Sequence, residues 1–568
     1  MQKTLKVSAG LLALLAFATL FAPLMRDRGL AIGFDTYLHV GNVVECAYLL
    51  GERFPPFDWV PDVAGGRGGP HYIYYGSVGF LGPAVLVRLG FDPVDAIRLS
   101  TAVLFVVGFL SAGLWCSRFS GWLGGLAGGL LYVYGPYFYC LPYVRGAYAE
   151  HFAYALYPLV FHFGQSFHVE KRRASLLWFA ITLSLVVGAH TLSLLVVVPF
   201  LVLYVLTTGK LTAGKLGAWR CLFMLGLAAV LLSASLFGPV FETGKVDVKQ
   251  QLSSAAAQVS YGGGGVPFHS YFNKNSLGDI VSRCFPGRVH LLSLLVTLVI
   301  AATIRGTATR KVTFLHLSLA IIALLLSEES VGGLCVKVFP PMAYLQFPWR
   351  FLGIFNLFAA AAFAGCFSKE SAISDRGRCL LALVTSALCL VIYLPDLPAM
   401  KAMNFTTRTR EAIRSSLTTL DHENKYMPAG AKLFDKPAPR VLLEIPDGEL
   451  FETKSGLNDY SYRVNSRTQQ RTRFHQYWFE GWRAEIDGRP ASIERDGEGL
   501  CVLDVSPGVR DIRLRFARTP LHQFALALSA LGWFSVLGFF AADATRRRLG
   551  RSTCEGGNLL APPNPPAG

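Results

Sequence analysis

Long apolar runs divide this sequence, and a run of about 18 or more residues with few charges can cross a bilayer as a helix. We identify about twelve candidate runs. They are 6–25, 97–116, 121–139, 150–168, 174–190, 191–208, 220–238, 289–304, 312–327, 350–367, 378–395 and 521–542. Only 16% of the residues are charged, against about 25% in soluble domains. The sequence therefore predicts a polytopic α-helical membrane protein.

The positive charges follow the same division of the chain. The net charge is +16, and much of it lies in short Lys and Arg clusters between apolar runs, as in cytoplasmic loops. With the N-terminus inside, these clusters all fall on one side of the membrane. They are Arg118, Lys171–Arg173, Lys210–Arg220, Arg305–Lys311, Lys369–Arg378 and Arg546–Arg551. Because topology accounts for the charge, we expect the lipid bilayer and no nucleic acid as a partner.

Two apolar stretches allow more than one interpretation. The N-terminal run resembles a signal peptide, with a possible cleavage site at Ala16–Ala18, but its length of about 19 residues favours an uncleaved first span. The stretch Tyr74–Leu89 is short and interrupted by Gly and Pro. Counting it as a span would move Lys171–Arg173 to the outside, so we predict an interfacial helix on the outer surface.

The predicted spans divide the chain into three parts. Residues 1–395 form a transmembrane domain with large external loops at 26–96 and 241–288. Residues 396–520 form a small external β-rich domain, because LCVLDV and DIRLRF alternate in hydrophobicity and DGRP and SPG are typical of turns. Residues 521–568 form the final span and a cytoplasmic tail.

Eleven cysteines are scattered along the chain, most of them inside apolar runs. They form no C-x-x-C motif and no Cys/His spacing suited to zinc. We interpret them as small core residues and expect no metal site, no disulfide framework and no cofactor.

The octapeptide GFDTYLHV, Gly33–Val40, follows the first span on the predicted outer face. In a helix, Asp35 and His39 would lie on one face, one turn apart. A carboxylate beside lipid is costly unless it faces water, a partner or a substrate. Asp35 is therefore either a solvated helix cap or a catalytic base that His39 orients.

Two arginines lie at the same predicted face. In YVRGAYAE, Arg145 either pairs with Glu150 to tie two helix ends or binds a lipid phosphate through its planar guanidinium. In QFPWR, Arg350 precedes a span beside Trp349, a predicted interfacial anchor. Arg350 either extends its side chain to the interface or joins Arg145 at a phosphate headgroup.

Two further features complete the predicted outer face. His190, at the junction of two spans, is either a hydrogen-bonded packing residue or part of a substrate site. The external stretch YGGGGVPFHSYFNKNS has four consecutive glycines but lacks the Lys-Ser/Thr of a phosphate-binding loop. It suits a mobile lid.

Together, GFDTYLH, WVPDVAGGRGGPHYIYYG, YVRGAYAE and LQFPWRFLG resemble the GT-C superfamily of membrane glycosyltransferases. The closer likeness, over about residues 5–400, is to the prokaryotic membrane proteins called 6-pyruvoyl-tetrahydropterin synthase related. GWRAEIDGRPASI resembles the external C-terminal domain of large bacterial membrane proteins implicated in glycosylation. The resemblance implies a bacterial or archaeal cytoplasmic membrane protein with an outward-facing site. It also implies an acidic residue near the end of the first span, where Asp35 stands, although many GT-C enzymes have a paired acidic motif there and this chain has Asp-Thr.

The implied activity is transfer of a sugar from a polyprenyl-phosphate donor to an envelope glycan, lipid or protein. Asp35 would be the base with His39 beside it, and Arg145 and Arg350 would hold the donor phosphate, which needs no general acid to leave. Glu150 and His190 would complete the substrate site, with no metal. Two alternatives are a transporter or flippase for lipid-linked sugars and a non-catalytic envelope assembly protein.

Overall fold

A computed structural model describes most of the chain. The described residues are 2–26, 29–31, 33, 35–51, 57–212, 214–237, 287–339, 342, 345, 348–394, 402–403, 411, 413, 428, 430–432 and 434–556. The predicted external loop 241–288, with its glycine-rich stretch, lies outside these residues except for its last two positions. Gln346 and Phe347 also lie outside them.

Helices dominate the described part before residue 394 and after residue 519. In chain order they are α1 (Gln2–Thr19), α2 (Ala22–Arg26), α3 (Thr36–Leu50), α4 (Val63–Gly66), α5 (His71–Tyr75), α6 (Val78–Arg88), α7 (Pro93–Val133), α8 (Pro136–Cys140), α9 (Tyr148–His168), α10 (Arg173–Ala189), α11 (Ser193–Thr212), α12 (Gly214–Phe237), α13 (Arg288–Ala301), α14 (Thr307–Leu326), α15 (Glu329–Val338), α16 (Phe351–Gly365), α17 (Asp375–Tyr393) and α18 (Pro520–Gly556). A π-helical turn, Leu141–Arg145, precedes α9, and a 3-10 turn, Pro348–Arg350, precedes α16.

Within the described residues, four helices are long and apolar enough to cross a membrane. They are Pro93–Val133, Gly217–Ser235, Thr307–Leu326 and Asp375–Tyr393. The first has a non-helical break at Gly121, which separates the two runs identified in the sequence. Further apolar helices are shorter, so the count of about twelve spans stays a prediction. The stretch Tyr74–Leu89 does contain a helix, α6, and its interfacial position also stays a prediction.

The helix α16 lies at the centre of the helical domain. All of its residues are buried, as expected for a helix that is apolar on every side. It packs against α7 and α14, and its start is joined to α9 where the Tyr154 hydroxyl donates to the Gly353 carbonyl, 2.9 Å away. The N-terminal ends of α9 and α16 therefore lie together, which sets the positions of the charged residues they carry.

The β-rich domain, predicted to be external, contains nine strands in the described residues. They are β3 (Leu443–Glu444), β4 (Gly448–Gly456), β5 (Asp459–Ser466), β6 (Gln470–Tyr477), β7 (Trp482–Ile486), β8 (Arg489–Ala491), β9 (Glu494–Arg495), β10 (Leu500–Val505) and β11 (Gly508–Phe516). They form a sheet of order β3-β6-β10-β9 and another of order β4-β5-β11-β7-β8. A short pair outside this domain, β1 (Leu30–Ala31) with β2 (Ala402–Met403), is antiparallel.

The predicted strand pattern holds for one motif and changes for the other. DIRLRF, in β11, alternates between buried and exposed residues as predicted. LCVLDV, in β10, is a strand too, but five of its six residues are buried. The physical reason is its central position between β6 and β9 in a sheet that packs against the other one; Phe474 and Trp482 meet across this core with ring centroids 5.2 Å apart.

A loop of the helical domain, residues 57–76, is attached to the β domain. The indole nitrogen of Trp59 donates to the Gln476 side chain, 2.8 Å away, and its ring stacks on Phe516 with centroids 4.9 Å apart. The Asp58 carboxylate contacts both Arg518, at 2.9 Å, and His522, at 2.7 Å. These contacts connect the loop to the β domain and to the start of α18.

The segments GFDT and VRGA contact each other through their backbones. The Asp35 amide donates to the Arg145 carbonyl, 2.9 Å away, and a Cβ at Gly33 would overlap the Arg145 backbone. Gly146 has a φ of +68°, and a Cβ there would overlap Thr36. Only glycine allows this close approach, which places Asp35 beside Arg145.

Gly146→Ala tests that contact. An L residue in the left-handed conformation costs about 1–2 kcal/mol, and the overlap with Thr36 adds to it. We therefore expect a lower unfolding midpoint for the purified protein in lipid. Gly226→Ala is the matched control, because Gly226 lies inside α12 with no atom within 4 Å of the added Cβ, and alanine favours a helix. Equal midpoints for the two variants would contradict the required left-handed turn.

Candidate functional site

The charged residues predicted at the outer face form one connected network. Arg145 Nη1 lies 3.0 Å from Glu150 Oε2, and Arg145 Nη2 lies 3.6 Å from Asp35 Oδ2. Arg350 Nε lies 3.4 Å from the other carboxylate oxygen of Glu150. Two guanidiniums and two carboxylates therefore alternate in the order Asp35, Arg145, Glu150, Arg350. Their formal charges cancel.

Glu150 lies at the buried centre of this network, in the first turn of α9. Its side chain is 6% exposed, and those of Arg145 and Arg350 are 8% and 7% exposed. The Tyr137 hydroxyl also donates to Glu150. A buried carboxylate needs such partners, because its desolvation is otherwise very costly. The predicted Arg145–Glu150 pair is present, but Glu150 holds a second arginine as well.

The Arg350 side chain is buried inside the protein, whereas the interfacial alternative expects an exposed guanidinium. Its guanidinium donates to the Leu345 carbonyl and contacts Glu150, and the neighbouring Trp349 is buried as well. The reason is the position of α16, whose start lies against α9 inside the protein. The pattern QFPWR showed an arginine beside a span but not which surface the span would pack against.

Asp35 occupies the N-cap position of α3, yet its side chain makes no capping hydrogen bond. The carboxylate lies beside Arg145 instead and is 25% exposed, the largest exposure in the network. Asp35 is therefore the member of the network that a substrate from solution reaches most directly. Its catalytic role stays a proposal.

His39 is placed by contacts with two other segments. The Tyr148 amide donates to Nδ1, 2.9 Å away, so Nδ1 carries no proton and the neutral ring carries its proton on Nε2. Nε2 then donates to the Tyr75 hydroxyl, 2.7 Å away. Burial lowers the pKa of His39 to about 4, in keeping with a neutral ring. His39 thus joins α3 to α5 and α9, and any effect on Asp35 acts through the position of α3.

His190 lies directly after α10, as predicted for the junction of two apolar helices. It is buried, and its Nδ1 lies 2.9 Å from the Ser193 hydroxyl. This is the hydrogen bond of a packing residue, but His190 also lies near Glu150. Its substrate-binding role stays a proposal.

Sequence reasoning missed two tyrosines and one carboxylate. Tyr137 and Tyr75 lie in aromatic stretches where nothing distinguishes a hydrogen-bonding tyrosine from a packing one. Asp58 directly precedes the motif WVPDVAGGRGGPHYIYYG. Its partners lie about 460 positions later in the chain, so nothing in the sequence indicated the pairing. Among the described residues, no group of three His, Cys, Asp or Glu side chains could hold a metal ion.

Residues 72–399, more than half of the chain, match the family described as 6-pyruvoyl-tetrahydropterin synthase related domain, a membrane protein. The chain belongs to this family. The predicted family is therefore confirmed, and with it the membrane class of the protein. No curated protein matches the chain.

Solved structures also match. AftD, an arabinofuranosyltransferase from Mycobacteria, is 16% identical to this chain with a TM-score of 0.39. The match covers 76% of this chain and 27% of AftD, so this chain spans about a quarter of the length of AftD. ArnT from Cupriavidus metallidurans, solved with undecaprenyl phosphate, is 14% identical with a TM-score of 0.28, over 63% of this chain and 77% of ArnT. Both TM-scores lie below 0.5, so the function proposed below rests on residues of this chain.

Glu150→Gln tests the central position of Glu150. Removing one member of a buried ion pair costs about 3–5 kcal/mol, and here two buried guanidiniums lose their shared partner. We expect a large fall in the unfolding midpoint, measured on the full chain in lipid.

Asp511→Asn is the matched control, since it breaks a pair with Arg463 in which both side chains are more than half exposed. Exposed pairs contribute little, so its midpoint should stay near that of the wild type. A fall as small for Glu150→Gln as for the control would show that Glu150 does not hold the network together.

Proposed function

We propose that the protein is a glycosyltransferase that moves a sugar from a polyprenyl-phosphate donor to an envelope glycan, lipid or protein. The observation that carries the proposal is the position of Arg145. Its guanidinium contacts the partly exposed Asp35 and the buried Glu150, and Glu150 in turn contacts Arg350. A candidate base and two candidate phosphate ligands therefore lie within one network.

The chemistry needs few groups. The acceptor hydroxyl attacks the anomeric carbon while Asp35 takes its proton. The bond between that carbon and the phosphate oxygen breaks, and the polyprenyl phosphate leaves with the electron pair, so the anomeric configuration inverts. Arg145 and Arg350 stabilise the charge on the departing phosphate. Glu150 orients both guanidiniums before the donor binds, and this preorganisation lowers the reorganisation needed during reaction.

The site faces the outside of the membrane in the proposed topology. Support comes from residues 57–76, which follow α3 in the chain and pack onto the β domain, because the positive clusters predict an external position for that domain. A transporter would be expected to place charges along a path through the membrane. Here Asp35, Arg145, Glu150 and Arg350 lie together at the ends of α3, α9 and α16.

Asp35→Asn should lower sugar transfer about 100-fold or more, because general-base catalysis contributes about 10²–10⁴-fold. Donor binding should change little, since the arginines hold the phosphate. The measurement uses the purified protein in lipid with a labelled polyprenyl-phosphate sugar and membrane-derived acceptor. Asp95→Asn is the control, an exposed aspartate that pairs with Arg98. If folded Asp35→Asn transfers sugar at the wild-type rate, Asp35 is not the base.

Arg350→Ala should weaken donor use more than acceptor use. Loss of a charge-assisted hydrogen bond costs about 1.5–3 kcal/mol, and Arg350→Lys should restore only part of it because an ammonium lacks the planar fork. Separate titrations of donor and acceptor give the two KM values, and unfolding midpoints show whether each variant remains folded. Equal changes in both KM values would place Arg350 outside the donor site.

A further inference from the structure

A cavity of about 700 Å³ lies at the far end of α9 from the charged network. It is formed by the end of α9, the start of α10, and α12 with α18. The last two helices pack closely, since a Cβ at Gly532 would lie 2.9 Å from the Leu231 backbone, and the Ser529 hydroxyl accepts from the Ser235 amide at 2.9 Å. The volume is within the range of about 300–1,000 Å³ that ligand pockets have.

The cavity and the charged network lie at opposite ends of α9, and the distance between them is close to the thickness of a bilayer. Glu150 lies in its first turn, and His168 is its last residue. Eighteen residues of α-helix span about 27 Å, and the hydrocarbon core of a bilayer is about 30 Å thick. In the predicted topology, where residues 150–168 cross the membrane, the cavity therefore lies near the opposite membrane face.

The lining has two chemically different parts. Most of it is apolar, with Phe167, Leu176, Leu177, Met224, Leu231 and Leu232 among its residues. His168, Lys171 and Arg220 are in the same lining. None of the described residues that line it carries a carboxylate. An apolar surface with uncompensated positive charge is complementary to a lipid with an anionic headgroup.

His168 is an independent sign of a ligand. The residue is 1% exposed, and neither ring nitrogen has a hydrogen-bond partner within the described part of the chain. A buried polar group without a partner is costly, and this one lines the cavity. A phosphate oxygen in the cavity would accept a hydrogen bond from the ring.

Glu170, the acidic residue next to Lys171 in the sequence, is paired with arginines outside the cavity lining. Glu170 contacts Arg118 and, at 2.9 Å, Arg172. Lys171 has a left-handed backbone with φ of +56°, and its amine donates to the His168 carbonyl, 2.6 Å away. This turn holds the ammonium against the His168 backbone instead of beside Glu170. Arg220 forms no salt bridge within the described residues.

We propose that this cavity binds an anionic phospholipid of the membrane leaflet opposite the catalytic site. Its phosphate lies among His168, Lys171 and Arg220, and an acyl chain lies against the apolar wall between α10, α12 and α18. The site is separate from the proposed sugar-transfer site, and only the choice of a phospholipid over the sugar donor rests on that proposed function. A phospholipid is favoured over the donor because the donor phosphate is assigned to Arg145 and Arg350, about 27 Å away along α9.

The test measures lipid retained by the purified full-length protein. Protein in nanodiscs of phosphatidylcholine with a minor fraction of phosphatidylglycerol is released into detergent and analysed by native mass spectrometry. The wild type should retain one phosphatidylglycerol in preference to phosphatidylcholine. Lys171→Ala with Arg220→Ala should lower that retention at least tenfold, since two charge-assisted contacts to the phosphate are lost.

Two further variants separate the cavity from general charge effects. Arg305→Ala with Arg310→Ala removes the same charge from another basic cluster that does not line the cavity, and retention should stay at the wild-type level. Ala228→Phe fills the apolar part and should lower retention while leaving the cations in place. Unfolding midpoints establish that each variant is folded.

Three results would overturn the proposal. The first is no preference for phosphatidylglycerol in the wild type, and the second is equal loss in the two double variants. The third is displacement of phosphatidylglycerol by undecaprenyl phosphate at a lower concentration than by added phosphatidylglycerol, which would assign the cavity to a polyprenyl lipid. Sugar transfer by the wild type is measured in parallel, so that failure of the proposed activity is seen separately from failure of lipid binding.

Discussion

The arrangement of the site depends on the ion pairs of the Glu150 carboxylate with Arg145 and Arg350. This carboxylate lies buried between Arg145 and Arg350, with the Tyr137 hydroxyl as a further donor. A buried charge persists only when its partners are held close, so the starts of α9 and α16 must lie together. Arg145 in turn holds Asp35 in position, because its guanidinium contacts the Asp35 carboxylate and its backbone carbonyl accepts from the Asp35 amide. Four charged residues from three regions of the sequence are thereby brought into one network.

Glycines make this network geometrically possible. Gly33 and Gly146 let two segments approach backbone to backbone, and His39 then joins α3 to Tyr75 and Tyr148. The next loop, residues 57–76, connects the helical domain to the β domain through Trp59 and Asp58. The β domain is thus attached to the segment that follows the candidate base.

The two ends of α9 differ in chemistry. At its start, positive and negative side chains are paired, and only Asp35 is substantially exposed. At its end, Lys171 and Arg220 lie beside an apolar cavity whose described lining carries no carboxylate. Paired charges suit a site that is preorganised for a reaction, whereas uncompensated cations beside apolar surface suit an anionic lipid. In these proposals, the paired arginines of the transfer site hold the donor phosphate during reaction, whereas Lys171 and Arg220 hold the headgroup of a bound lipid.

Much of the fold could be predicted because it depends on local pattern. Apolar runs indicated helices, alternation in DIRLRF indicated a strand, and the short spacing between Arg145 and Glu150 made their pairing an explicit alternative. The resemblance of several motifs also identified the family. The tertiary structure alone decided that Arg350 turns inward to Glu150, that Asp35 lies against Arg145 without capping α3, and that β10 is buried on both faces. These outcomes depend on which surfaces of distant elements pack together, and neither hydropathy nor residue spacing within one segment contains that information.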